Sequence, residues 1–162
     1  MKQAVFRVAE REDVKVLLEI IQERIDWMDE QGIRQWNCTH YFDCYPRDYF
    51  EAGVDQGSFY LLEEQGRTVG VMALYTEDGR WDDDPGYFYL HHLATRQNCP
   101  GAGERMLRFA ERLGKKQGKK GIRLDCQKEN RRLNAYYEAQ GYSALGSFVE
   151  GEYEGTKRVK LL

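Results

Sequence analysis

Three sets of residues in this chain have types and spacings that could do chemistry. The first is the loop Thr95-Arg96-Gln97-Asn98-Cys99-Pro100-Gly101-Ala102-Gly103, which follows the apolar run Tyr87 to Ala94 and leads at once into a helical pattern. A glycine loop that enters a helix suits a phosphate, because unpaired N–H groups and the helix dipole both point at the ligand. The second set is Asn130, Asn134 and Tyr137. Spaced at i, i+4 and i+7, they share one face of a downstream helix. The third is the pair His91 and His92 at the end of the apolar run. Imidazole, with an intrinsic pKa near ~6.5, is suited to removing a proton at neutral pH. Side chains alternate along a strand, so the two histidines are expected on opposite faces. A bland reading stands beside each: a packing aromatic for Tyr137 and hydrogen-bonded structural imidazoles for the histidines.

Two common phosphate binders do not fit the loop. A nucleotide P-loop ends in Gly-Lys-Ser/Thr, with the lysine on the terminal phosphates and the hydroxyl on magnesium. Here Glu104-Arg105 follows Gly103. A dinucleotide fingerprint needs a third glycine for close helix–strand packing, and Met106 holds that position. The loop also comes after four strands rather than after the first.

The elements that must position these groups can be read from periodicity. Ala4 to Val8 is a first strand. Val14, Leu17, Leu18, Ile21, Ile25 and Met28 give one apolar face to a helix from about Asp13 to Gln31, stopped by Gly32. Ile33 to Gly57 is aromatic and irregular, with a short helix opened by Pro46 and running through Phe50. Ser58–Glu63 and Thr68–Tyr75 are strands around a Gln65-Gly66 turn. The central strand, Tyr87 to Ala94, comes next, then a helix of roughly Gly101 to Gln117 and a strand from Ile122 to Cys126. A helix from Arg131 to Gln140 ends at Gly141. Strands near Tyr142–Val149 and Thr156–Leu161 flank a turn at Gly151–Gly155. No repeat or linker interrupts the pattern, so one α/β domain over 1–162 is expected.

Composition narrows the class. A formal net charge of -3 argues against a general nucleic-acid binder. Lys115-Lys116 and Lys119-Lys120 read as a solvated helix end. The run Asp82-Asp83-Asp84 reads as a solvated loop, since no distant metal ligand is evident. Cys38, His40 and Cys44 lack a fourth zinc ligand, so no metal is expected. The four cysteines show no paired spacing, and no signal-peptide core or long apolar run is present. A cytoplasmic protein with reduced thiols and no membrane association is the expectation.

Taken together, the loop Asn98-Cys99-Pro100-Gly101-Ala102-Gly103 resembles the pyrophosphate loop of the GNAT (GCN5-related N-acetyltransferase) superfamily, Gln/Arg-x-x-Gly-x-Gly/Ala. Asn130-Arg131-Arg132-Leu133-Asn134-Ala135-Tyr136-Tyr137-Glu138-Ala139-Gln140-Gly141-Tyr142 resembles that family's second signature, an asparagine before Tyr-Glu-x-x-Gly-Phe/Tyr. Asp29 to Trp36 looks like the first-helix exit of small bacterial members. The chain departs from the pattern at Asn98, where Gln or Arg is usual, and in a short Thr95–Asn98 segment. Glu104 is awkward beside an anion, with Arg96 and Arg105 available to offset it.

The resemblance implies a mixed, mostly antiparallel α/β sheet with flanking helices and a splayed parallel strand pair. It implies acetyl-CoA as cosubstrate and direct attack of an amine on the thioester. Leu93, Ala94, Thr95, Asn98, Gly101, Ala102, Gly103, Glu104, Asn130 and Asn134 would contact coenzyme A, with the backbone around Leu93 to Thr95 meeting the oxyanion. Tyr137 would serve the departing thiolate. A phenol near pKa ~10 is a weaker acid than a thiol near ~8.5, so full transfer is uphill by about 2 kcal/mol and hydrogen bonding is the expected role. His91, on the face expected to hold Tyr89 and Leu93, is the candidate base, with a water chain as the alternative. Trp27, Trp36, Tyr41, Phe42 and Tyr45, with Cys126, are the expected acceptor pocket, where aromatic faces could hold an amine. The acceptor is expected to be a small-molecule amine. A protein-modifying acetyltransferase and a non-catalytic CoA-binding module are the rival readings, and a homodimer through the C-terminal strands is what the family implies.

Overall fold

The computed structural model describes residues 3–162. Its strands are β1 (Ala4–Val8), β2 (Phe59–Glu64), β3 (Arg67–Tyr75), β4 (Tyr87–Thr95), β5 (Gly121–Gln127), β6 (Ser143–Glu150) and β7 (Tyr153–Leu161). Its helices are α1 (Val14–Glu30), α2 (Tyr41–Cys44), α3 (Arg47–Asp55), α4 (Ala102–Lys116) and α5 (Arg131–Ala139). The strands form one sheet in the order β1-β2-β3-β4-β5-β7-β6. Every neighbouring pair is antiparallel except β4 and β5. The expected mixed α/β fold is therefore what the chain adopts.

Alternation along β3 explains why the sheet carries a core on each face. Val71 and Ala73 pack with Val14, Leu17, Ile20 and Ile21 of α1 on the front. Met72 and Leu74 pack with Met106, Leu107 and Ala110 of α4 on the back, where Tyr137 and Tyr142 join them. Among the described residues no helix is long and apolar enough to cross a membrane.

The aromatic segment holds more helix than expected. α2 was not foreseen, and α3 runs five residues past Phe50. Gly53 lets α3 close on β2, because a Cβ there would stand 2.5 Å from the Phe59 ring. At the other end of the chain a two-residue turn, Gly151-Glu152, pairs Glu150 with Tyr153, so β7 starts earlier than expected.

Two irregularities of β4 make the site. Its parallel pairing to β5 lasts only from Tyr87↔Gly121 to Tyr89↔Arg123, after which the strands part while β4 stays paired to β3 through Thr95. The second is a bulge. Ala73 faces His91 and Val71 faces Ala94, so one residue of β3 stands opposite two of β4, and His92 takes φ 56. The extra residue breaks the alternation. His91 and His92 consequently share the front face, with ring centroids 5.9 Å apart, while Leu93 packs into the back core. The expected opposition of the two histidines, and the grouping of Leu93 with His91, are corrected by this bulge.

Candidate active site

Where β4 and β5 diverge, a continuous cleft of about 1080 Å³ opens between the sheet, the start of α4, the start of α5 and the segment after α1. It brings together His91, Leu93, Ala94, Thr95, Gly101, Ala102, Gly103, Glu104, Asn130 and Tyr137, and also Trp27, Trp36, Tyr41 and Tyr45. Asn98 and Asn134 do not line it. Neither do Phe42 and Cys126.

One end of the cleft is built from backbone. Gly101 caps α4 at φ 78, a left-handed conformation that costs glycine little. The Ala102 N–H returns to the Cys99 carbonyl at 3.2 Å and the Arg105 N–H to the Gly101 carbonyl at 3.0 Å. The N–H groups of Gly103 and Glu104 lie between them in the open first turn of the helix and line the cleft. Open amides at the start of a 15-residue helix, aligned with its dipole, are a cradle suited to an anion. Asn98 occupies an exposed turn at φ 60 and is not part of the cleft wall. The two arginines expected to offset Glu104 have other partners. Arg96 pairs with Glu23 at 2.5 Å, and the Arg105 Nε donates to Glu64 at 2.7 Å while its Nη1 reaches the Pro100 carbonyl at 3.3 Å.

The face of α5 divides. Asn130 is the helix N-cap: its Oδ1 accepts from the Leu133 N–H at 3.0 Å, and its Nδ2 donates to Gln35 Oε1 at 3.3 Å. Asn134 turns toward the end of β5. Its Nδ2 donates to the carbonyls of Gln127 and Asn130 at 3.0 and 2.9 Å, and its Oδ1 accepts from Arg158 Nε at 3.2 Å and the Cys126 thiol at 3.3 Å. That amide has its hydrogen-bonding capacity filled by the fold. Tyr137 is 7 % exposed, with its ring edge-on to Tyr136 and Tyr142 at 5.5 and 6.0 Å. Its hydroxyl takes no hydrogen-bond partner among the described residues, so it is both a packing ring and a free donor at the cleft wall. Burial raises its pKa well above the usual phenol value, followed by the influence of Cys126. Outright proton release from Tyr137 is therefore harder than for a free phenol.

The two histidines also divide. His92 is buried, held at Nδ1 by the Tyr41 hydroxyl and at Nε2 by the Tyr49 hydroxyl at 2.8 Å, and Tyr49 in turn meets Tyr75 at 2.6 Å. Burial, then the nearby His91 and Arg80, holds its pKa well below the ordinary imidazole value. His92 is a neutral bridge among tyrosines. His91 faces the cleft with Nε2 at 2.7 Å from Asp78 Oδ2. Burial, the largest influence, would raise the Asp78 carboxyl, but the His91 hydrogen bond and charge together with the Arg80 N–H and guanidinium hold the group below the usual carboxylate range. With Nε2–H directed at Asp78, Nδ1 keeps its lone pair.

Sequence reasoning missed several wall residues. Arg24 reaches from α1 to donate to the Thr95 carbonyl at 2.6 Å and its hydroxyl at 3.1 Å, with the guanidinium stacked 4.7 Å over Trp27. Burial lowers its pKa, and no carboxylate pairs with it among the described residues. It falls on the polar side of an amphipathic pattern, where a solvated arginine is the ordinary reading. Tyr136 brings its hydroxyl to 3.3 Å from where a Gly103 side chain would begin, tying α5 to the cradle. Asp78, Arg80, Asp125, Glu150 and Tyr153 meet from three separate segments, and no local spacing announces them.

Comparison with known proteins agrees with this geometry. Residues 20–142 match the family model described as Acetyltransferase (GNAT) family. The uncharacterized N-acetyltransferase YesJ of Bacillus subtilis is 24% identical over 159 residues, covering 91% of this chain and 86% of that one. A GNAT-family acetyltransferase of Listeria monocytogenes superposes with TM-score 0.77 at 24% identity, over 98% of this chain and 95% of that one. The PaiA N-acetyltransferase of Thermoplasma acidophilum, solved with coenzyme A, superposes with TM-score 0.79 at 17% identity, over 99% of each chain. With a family match over most of its length and the splayed β4–β5 cleft in its fold, the chain belongs to the GNAT acetyltransferase family.

Proposed function

We propose that this chain is a single N-acetyltransferase domain that moves an acetyl group from acetyl-CoA to the primary amine of a small-molecule acceptor. The observation that carries the reading is the shared wall of one cleft: the open first-turn amides of α4 and the unpartnered Tyr137 hydroxyl both face it. Those amides would hold the pyrophosphate of coenzyme A, with Arg24 supplying the positive charge that Asn98 does not. Asn130 would steady the pantetheine arm, and Asn134 would act one step back, fixing the end of β5 beside it.

The chemistry runs by direct attack. An alkylamine is mostly protonated at neutral pH and must first lose a proton. His91 Nδ1 accepts it, directly or through water, with Asp78 holding the ring in the right tautomer. The amine nitrogen then bonds to the thioester carbon. The resulting oxyanion meets N–H groups on the free edge of β4 around Leu93 to Thr95, the stretch that β5 no longer pairs. As the C–S bond breaks, the bonded nitrogen gives up its extra proton through water to the departing sulfur, which leaves as the thiol while the Tyr137 hydroxyl donates a hydrogen bond to the developing thiolate. Trp27, Trp36, Tyr41 and Tyr45 would frame the acceptor. Nothing in this sequence of steps calls on a metal. Four cysteines without disulfides suit a cytoplasmic setting.

Thiol release from acetyl-CoA across a panel of primary amines tests the reading. Turnover with at least one small amine, lost in Tyr137→Phe, is expected. Acetyl-CoA binding without turnover on any amine would leave a CoA-binding module in its place.

A further inference from the structure

Beside His91 the cleft continues into a shallow, solvent-open recess of about 410 Å³. Tyr45, Tyr49, Tyr75, Glu77 and Asp78 line it, and Arg80, His91 and Glu150 stand at its junction with the main cleft. Phenol faces and carboxylates together favour a positive charge. Arg80 illustrates the polarity. Its Nε donates to Glu150 Oε2 at 2.7 Å, its Nη1 is 3.5 Å from Asp125 Oδ2, and its guanidinium lies 5.1 and 5.6 Å from the Phe148 and Tyr153 ring centroids.

One guanidinium does not balance this region. Asp125 and Glu150 meet Arg80, Asp78 pairs with His91, and Glu77 lines the recess unpaired among the described residues, while at the rim the Lys157 ammonium turns to the Arg80 carbonyl. The Asp125 side chain is only 8 % exposed, yet its Oδ2 receives no hydrogen bond. Ligand atoms of Asp125, Asp78 and His91 lie within 4.8 Å of one another. Asp125 lines the main cleft beside the recess, its Oδ1 held by the Tyr153 hydroxyl at 2.8 Å and its Oδ2 offset only by the Arg80 guanidinium at 3.5 Å, so its charge adds to the field that a cation at the junction would meet.

We propose that this recess holds a second positive charge on the acceptor, which makes the substrate a linear amine with a cationic group distal to the reacting nitrogen. The proposal rests on the acetyl-transfer reading above. The same three residues could in principle ligate a divalent metal. The neighbouring guanidinium opposes a compact dication, and the phenol walls offer it no oxygen cage, so an organic cation is the better occupant.

Putrescine, butylamine and γ-aminobutyrate share a chain length and end in an ammonium, a methyl and a carboxylate. In thiol-release assays with EDTA present, kcat/KM for putrescine is expected to exceed that for butylamine by at least about tenfold, with γ-aminobutyrate lowest. Combining Glu77→Gln with Glu150→Gln, in protein whose thermal midpoint shows it folded, is expected to bring that ratio below about threefold. Butylamine or γ-aminobutyrate matching putrescine would overturn the proposal, as would a putrescine preference that survives both substitutions. A preference present only without EDTA would assign the carboxylates to a metal instead. Calorimetry with acetyl-CoA on the same samples separates the levels of failure. Acetyl-CoA binding without discrimination removes the distal-charge site alone, whereas no binding removes the acetyl-transfer reading beneath it as well.

Discussion

The two ends of the cleft are made of different materials. At the donor end the groups that face the ligand are mostly backbone, drawn from residues 93–104 and braced by Arg24, Arg105 and Tyr136. At the acceptor end they are side chains, gathered from α1, the α2–α3 segment, the β3–β4 connection, β5 and the β6–β7 turn. A backbone cradle is indifferent to most side-chain changes, so under the proposed function the departure at Asn98 would leave it undisturbed. A side-chain recess changes character with each substitution, so selectivity should live there. His91 and Tyr137 stand where the two ends meet.

Six substitutions press on that division. The largest effect is expected from Tyr137→Phe, which should cut turnover by at least about tenfold while leaving acetyl-CoA affinity within about twofold. Loss of affinity in parallel with turnover would mean that the ring belongs to the donor end after all. His91→Ala should lower kcat/KM by about tenfold at neutral pH and remove the acid limb of the pH–rate profile. A wild-type profile in that variant would hand the base role to water, and Asp78→Asn should shift the same limb if Asp78 positions His91.

At the donor end, Arg24→Gln should raise KM for acetyl-CoA by about fivefold with kcat nearly unchanged, the mark of lost ground-state binding. Asn134→Ala should do the reverse. Removing its bonds to β5 and Arg158 should cost about 1–2 kcal/mol of stability with no change in acetyl-CoA affinity. A change in affinity without destabilisation would return Asn134 to the cofactor contacts.

The smallest effect concerns pH. His92 titrates far below an unfolded imidazole, so below about pH 6.5 the unfolded chain binds a proton that the folded chain refuses. Stability then rises with pH, by about 1.4 kcal/mol per unit, between the depressed folded value and the unfolded one, and levels off above it. His92→Asn, which tolerates the left-handed backbone, should flatten the thermal midpoint across that window. An unchanged slope would show that the pH sensitivity arises elsewhere.

What was legible in the sequence follows the same division. Strand, glycine loop, helix, strand and helix are contiguous from Tyr87 to Tyr142, and their periodicities and caps are local, so the fold and most residues lining this end of the cleft could be read in order. Three things could not be read. The bulge at His92 is set by the pairing of β4 with β3, and it reverses which face a histidine takes. The split between Asn130 and Asn134 depends on Arg158 and Cys126, which approach through tertiary structure. The meeting of Asp78, Asp125 and Glu150 needs β4, β5 and β6 in place. Helix α3 runs past its expected end at Phe50 for a related reason: the close approach of the Phe59 ring explains a glycine in its last turn.

Calorimetric titration of the wild-type protein with acetyl-CoA tests the central claim most directly, since every role assigned to the cleft presumes that ligand. The account predicts saturable binding at one site per chain, with a dissociation constant between about 1 and 100 µM, the lower part of the usual enzyme substrate range. No binding heat at several hundred µM, a concentration well above that range, would contradict it.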